Sequence, residues 1–200
     1  MSKARIIGNN LPNIPWENRP EGSEDLVWRY SKNPIVGWNP VKGVARIFNS
    51  AVAPYQGKFV GIFRADHTNS KPDLHVGWSD DGIEWRFESA RIKWVDQEGE
   101  PYPVSYAYDP RMVELDGRYY VVWCTGFVQS PALGIGYTEG FETFIRLDNT
   151  TVPFNRNGVL FPRKIHGNYV MLNRPSDNGH TPFGDIYLSE SPDMIYWGKH

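Results

Sequence analysis

The sequence predicts an all-β fold made of repeated sheets, a β-propeller of which these 200 residues supply about three blades of an incomplete ring. Three stretches carry that reading: Asn49 to Arg64, Asp109 to Cys124 and Val159 to Arg174. Each is a polar-to-apolar run, a turn glycine and an apolar run closing on a polar residue. Aligned on Gly57, Gly117 and Gly167, the eighth residue before each glycine is Asn49, Asp109 and Val159, and the seventh after it is Arg64, Cys124 and Arg174. A period of roughly 50 to 60 residues built from strands and turns marks one sheet per blade. Composition agrees: Tyr, Phe, Trp, Val and Ile are abundant, 16 prolines and 19 glycines punctuate them, and no stretch keeps a long 3.6-residue apolar period.

Residues 1–46 form an opening segment ahead of the first repeat. Met1 to Ile14 has no apolar core of the signal-peptide kind, which predicts a cytoplasmic protein. Approximate blades then follow at 47–107, 108–157 and 158–200, together one partial propeller domain. In each, a further strand leads through a polar turn to a large aromatic: Leu74 to Ser79 before Trp85, Leu133 to Thr138 before Phe144, and Ile186 to Ser189 before Trp197. These aromatics are expected to plug the gaps between neighbouring twisted sheets, since a single blade cannot bury both its faces. Three repeats are too few to close a ring, so the last blade is expected to leave an apolar face open and residues 1–200 alone to self-associate with little activity.

Several function classes are excluded. A net charge of −2 with no basic run gives no nucleic-acid or membrane surface. The single cysteine, Cys124, excludes an internal disulfide, and the five histidines lack metal-ligand spacing, so no metal or cofactor is expected. There is no serine-nucleophile elbow and no P-loop.

What remains are polar groups at matched repeat positions. The innermost strand of a propeller blade borders the axis, so Asp109 in Tyr106-Ala107-Tyr108-Asp109-Pro110-Arg111 reads either as an axial acid or as an Asp-Pro turn cap. Asn49, its counterpart, reads as a hydroxyl-orienting group or a turn residue. Arg64 and Arg174 close apolar strands, where an arginine commonly snorkels to solvent. Together with Arg156 they also make a converging cationic site for carboxylate or phosphate oxygens. His180 lies in a turn-rich loop, Asp177 to Pro182, read as surface or as the mouth of the pocket.

The strings Ile47-Phe48-Asn49-Ser50-Ala51-Val52, Phe63-Arg64-Ala65-Asp66, Tyr108-Asp109-Pro110-Arg111, Pro153 to Lys164 and Asn173 to Asp185 resemble glycoside hydrolase family 130, most of all its β-1,4-mannoside phosphorylases. The resemblance runs from about Pro15 to the end. It implies a five-bladed propeller, of which this chain holds about the first three-fifths. It also implies reversible, inverting phosphorolysis of terminal β-1,4-mannosides of mannooligosaccharides or mannosylated glycans to α-mannose 1-phosphate. Phosphate is then a co-substrate and no cofactor is needed; a homo-oligomer is compatible with this.

Carried over residue by residue, Asp109 matches the general acid, donating its proton through the mannose 3-hydroxyl. Arg156 and Arg174 match the phosphate-binding arginines, and Asn49, Ser50, Arg64, Asp66 and Tyr108 match positions around the mannose. Attack by phosphate replaces the base-activated water of an inverting hydrolase, so one catalytic carboxyl suffices. The alternatives are a β-mannosidase, against which Arg156 and Arg174 argue, and a non-catalytic mannoside-binding fragment.

Overall fold

Two-residue turns set up the sheets. Gln56-Gly57, Asp116-Gly117 and His166-Gly167 all have positive φ at both residues, the backbone that matches the twist of a tight hairpin. The structure, a computed structural model, describes residues 17–126, 130–175 and 184–198, and among these no helix occurs.

The first sheet is a four-stranded antiparallel meander of β1 (Val44–Tyr55), β2 (Lys58–His67), β3 (Pro72–Ser79) and β4 (Trp85–Arg91), in that spatial order. Next come two short strands, β5 (Trp94–Val95) and β6 (Pro101–Tyr102), then β7 (Ala107–Leu115), β8 (Arg118–Thr125), β9 (Ala132–Thr138) and β10 (Phe144–Arg146). Strand β5 runs parallel to β10, so the second sheet has the order β6-β5-β10-β9-β8-β7. The segment between Arg91 and Ala107, assigned above to the first repeat by sequence spacing, is therefore hydrogen-bonded to the outer edge of the second sheet. Strands β11 (Asn155–Leu160), β12 (Tyr169–Pro175) and β13 (Tyr187–Ser191) form the third sheet.

Side chains alternate across a strand, and β8 uses both faces. Val121 and Trp123 point into one core with Val60, Ile62, Leu74 and Val76 of the first sheet. Val122 and Cys124 point into a second core with Leu160 and Met171 of the third sheet. The middle sheet is thus covered on both sides, and each fully buried aliphatic contributes about 1.5–3 kcal/mol. Strand β7 packs against β1, β2 and β3, and β11 against β7, β8 and β9, so β7 adjoins both β1 and β11.

Two of the three expected plugs sit between sheets: Phe144 in the first core and Trp197 in the second. Trp85 does not. It packs edge-on against Phe63, ring centroids 4.9 Å apart, on the face of the first sheet turned away from the second. The turns before Trp85 and Trp197 share one hydrogen-bond scheme. Ser79 Oγ accepts from Gly82 N at 2.8 Å and Trp85 Nε1 donates to Gly82 O; Ser191 Oγ accepts from Met194 N at 2.9 Å and Trp197 Nε1 donates to Met194 O. The counterpart of Ser79 is therefore Ser191, at the end of β13, and not Ser189.

Candidate active site

Strands β1, β7 and β11 carry equivalent β-bulges, and β1 has a further irregularity between Val44 and Arg46. Register is lost between Phe48 and Ala51, between Tyr108 and Arg111, and between Arg156 and Val159, so two residues oppose one on the partner strand. The first residue of each bulge, Asn49, Asp109 and Asn157, has φ of 49°, 52° and 55°. Asn and Asp tolerate this left-handed backbone better than other side-chain-bearing residues. The third member of the series is therefore Asn157, and the glycine alignment that selected Val159 slips by two residues. The reason is local: the third hairpin carries extra chain between Leu160 and its turn, closed by the separate Ile165–Asn168 bridge. On the partner strands the expected equivalence holds, because Phe48 faces Arg64, Tyr108 faces Cys124 and Arg156 faces Arg174.

The bulges bring the first two sheets into one polar network. Asp109 Oδ1 accepts from Asn49 Nδ2 and from Arg64 Nη1, both at 2.8 Å. Arg64 Nε donates to Asp66 Oδ1 at 3.0 Å, and Arg46 Nη2 donates to Asp66 Oδ2 at 3.1 Å. Charges therefore alternate along Arg46, Asp66, Arg64 and Asp109. Burial works against the Arg64 cation, yet its hydrogen bonds to Asp109 and Asp66 keep its pKa raised. The Arg64 guanidinium also lies 4.2 Å from the centroid of Phe48 and 5.3 Å from that of Tyr108.

Tyr108 is half-buried, and burial chiefly pushes its phenol up to about 12, so it is a neutral donor at working pH. Burial likewise pushes the Cys124 thiol up; its Sγ accepts from the backbone N–H of Asn157 at 3.2 Å and ties the third bulge to β8. Arg156 and Arg174 face each other across β11 and β12. The Nε atom of each is buried, and among the described residues neither has a hydrogen-bond partner. Gly184 makes room for Arg174, since a Cβ there would stand 2.9 Å from its Cγ.

Ser50 takes no part in the Asp109 network. It opens with Phe48 onto a cavity of about 730 Å³ between the first sheet and the segment around Arg29 and Ile35. Sequence reasoning missed three members of the site: Asn157, Arg46 and Cys124. Aligning on Arg64 and Arg174 selects Val159 again, since each lies seven residues after its glycine; Asn157 emerges only from the register of β11 against β12. The His180 loop lies outside the described residues, among which no group of three or more His, Cys, Asp or Glu could hold a metal.

Comparison with known proteins gives a consistent result. A family described as beta-1,4-mannooligosaccharide phosphorylase matches residues 9–200. The beta-1,4-mannooligosaccharide phosphorylase of Ruminococcus albus is 48% identical over 205 residues, covering 99% of this chain and 61% of the relative. The 1,2-beta-oligomannan phosphorylase of a Thermoanaerobacter species is 29% identical over 78% of this chain and 53% of its own length. The chain thus spans about three-fifths or less of these relatives. Among solved structures, the beta-1,2-mannobiose phosphorylase of Listeria innocua, in complex with beta-1,2-mannobiose, superposes with a TM-score of 0.72 at 20% identity, over 86% of this chain and 65% of that one. The likeness in fold extends to the sucrose-6-phosphate hydrolase of Lactobacillus gasseri, with a TM-score of 0.58 at 16% identity over 76% of this chain and 33% of that one.

Proposed function

The chain belongs to glycoside hydrolase family 130, and from that premise we propose that the protein performs reversible, inverting phosphorolysis of terminal β-1,4-mannosides. A phosphate oxygen attacks C1 of the terminal mannose, the C1–O bond to the next sugar breaks with its electron pair going to oxygen, and that oxygen takes a proton. The products are α-mannose 1-phosphate and a shortened chain.

Asp109 supplies the proton through the mannose 3-hydroxyl. Its Oδ1 is engaged by Asn49 and Arg64, which leaves Oδ2 to carry the proton. Asn49, Arg64, Asp66 and Tyr108 fix the mannose hydroxyls, whereas Ser50 opens onto the neighbouring cavity, and Arg156 and Arg174 hold phosphate for in-line attack. The reaction as written needs no metal or organic cofactor. In this reading the three sheets are blades of a five-bladed ring, and the bulged inner strands border its axis.

The observation that carries the proposal is the Arg156–Arg174 pair. Two like charges directly opposite each other destabilise a hairpin, and these two have no ion-pair partner among the described residues. An anion between them relieves the repulsion and satisfies the buried Nε groups, and phosphate matches the guanidinium fork. A mannosidase would need a carboxylate to activate water in that place.

Incubating the protein with β-1,4-mannobiose with and without phosphate tests the proposal. Mannose 1-phosphate formed only with phosphate is the expected outcome. Free mannose released without phosphate would make it a hydrolase, and binding without turnover a lectin-like module.

A further inference from the structure

At its arginine end the third hairpin has little to hold it closed. Beyond the bulge only two residue pairs remain, Arg156 with Arg174 and Asn155 with Pro175. The first sets two cations against each other, and the second contains a proline, which has no N–H to donate. The N–H groups on either side of Arg156 are turned to the second sheet: Asn155 N donates to Pro131 O at 2.9 Å, and Asn157 N to Cys124 Sγ at 3.2 Å. Strand β11 is thereby anchored from one side, and the link across to Arg174 falls to side chains.

Neighbours in a strand point to opposite faces, so Asn155 and Asn173 sit back to back with Arg156 and Arg174. Asn155 Nδ2 donates to Asn173 Oδ1 at 2.8 Å, and Asn173 Nδ2 donates to Ser189 Oγ at 2.6 Å; all three side chains are buried. In the backbone register Asn155 faces Pro175 and Ser189 faces Met171, each two residues from Asn173. Both bonds are therefore diagonal steps along one line across β11, β12 and β13. A slip of one residue in either pairing turns a rung to the wrong face and breaks the line. Stability alone does not call for it, since exchanging both partners of a buried hydrogen bond for apolar groups is close to neutral. The ladder even leaves Asn155 Oδ1 buried without a partner among the described residues. Resting on the phosphate-binding reading of the two arginines, we propose that Asn173 is a positioning residue for the anion. Bonded to both neighbouring strands from the buried face, it fixes how far apart the Arg156 and Arg174 forks stand. Arg174 follows Asn173 directly, so a shift of that backbone moves the fork. The ladder thus resists the repulsion between the cations and keeps the site shaped before phosphate arrives, as in-line attack requires.

The test measures steady-state kinetics in phosphate and in mannobiose for wild type, Asn173→Leu, Asn155→Leu/Asn173→Leu, Ser189→Ala, Arg174→Ala and Asn173→Leu/Arg174→Ala. In Asn173→Leu, and in the double leucine variant that leaves no lone amide, kcat/KM for phosphate is expected to fall roughly 10- to 100-fold, chiefly through KM, the scale of a binding group displaced by about an ångström. The mannobiose KM stays within about twofold, and Ser189→Ala shifts the phosphate KM the same way by less. Because Asn173 acts through Arg174, its replacement costs little more once Arg174 is alanine. A merely structural role lowers the amount of active enzyme and leaves both KM values alone. An unchanged phosphate KM, equal losses for the two substrates, or additive effects of Asn173→Leu and Arg174→Ala would each overturn the positioning role. If the leucine variants do not fold, Ser189→Ala alone and combined with Arg174→Ala decides by the same readouts. A wild type that makes no mannose 1-phosphate sinks the phosphorylase reading instead. Calorimetric binding of inorganic phosphate to wild type and Asn173→Leu then still decides the ladder: weaker binding in the variant supports it, and equal binding or none overturns it.

Discussion

Gly158→Ala is a small change with a calculable result. Gly158 is the second residue of the third bulge, where β11 comes closest to the middle sheet. A Cβ there would stand 2.7 Å from Leu133 Cδ1, 2.8 Å from Val122 Cγ1 and 3.2 Å from Met171 Sδ. All three neighbours are fully buried and cannot swing away. Overpacking of this kind costs about 1–3 kcal/mol, and the stiffer unfolded chain of alanine returns about 0.4–1 kcal/mol, for a net loss of about 1–2 kcal/mol. The strand relieves the clash by moving off the middle sheet, which weakens the bond from Asn157 N to Cys124 Sγ and shifts Arg156 relative to Asp109. Urea unfolding reads the first effect, and the phosphate KM at saturating mannoside reads the second. Gly57→Ala is the control. It forces alanine into a backbone with φ of 75° in open space far from Arg156, so it lowers stability while leaving the phosphate KM alone. Wild-type stability in Gly158→Ala, or a destabilised variant with unchanged phosphate KM, would refute the link between this close approach and the placement of the arginine.

Asp109→Asn keeps the Oδ1 acceptor for Asn49 and Arg64 but removes the transferable proton; turnover should fall by roughly 10²–10⁴ while mannoside binding persists, and near-normal turnover would remove Asp109 from the mechanism. Replacing Arg156 or Arg174 with Ala should raise the phosphate KM far more than the mannoside KM; equal losses would mark the pair as structural. His75 is buried, its Nδ1 donates to Glu88 O at 3.0 Å and its Nε2 meets His67 Nε2 at 3.0 Å, and burial above all holds its pKa below the usual histidine value. The unfolded chain therefore binds the proton more readily, so stability is complete above about pH 6.5 and falls as pH drops below it, by at most about 1.4 kcal/mol per unit. His75→Gln should flatten that slope in urea titrations at pH 7, 6 and 5, whereas an unchanged slope would assign it to other groups.

Much of the fold was legible because hairpin turns have a local signature. Glycine after Gln, Asp or His, between two apolar runs, located all three tight turns, and the apolar runs that follow located β2, β3, β8 and β9. The short strands β5 and β6 are two residues each and were not legible, since the pairing of β5 with β10 depends on a partner some fifty residues away that no local pattern announces. Asp109 and Arg64 were found because their spacing from a glycine repeats. Asn157 escaped because the chain added near the third turn breaks that count. A bulge leaves no mark in sequence, as it changes only how two strands are counted against each other. Arg46 escaped for a related reason: its partner Asp66 lies across the sheet, and the pair becomes visible only once register is known.

The three bulges present Asn, Asp and Asn on backbones of nearly the same conformation. Side chains of one shape thus occupy three equivalent stations, and only one of them can carry an exchangeable acidic proton. Duplication of an ancestral sheet would have produced the stations together, after which the exchange of an amide nitrogen for an oxygen decides which is chemically active. A series of such bulges can relocate an acid without rebuilding the sheets that carry it. Proteins of this shape can therefore diverge in the bond they break while the scaffold that presents the deciding atom stays the same.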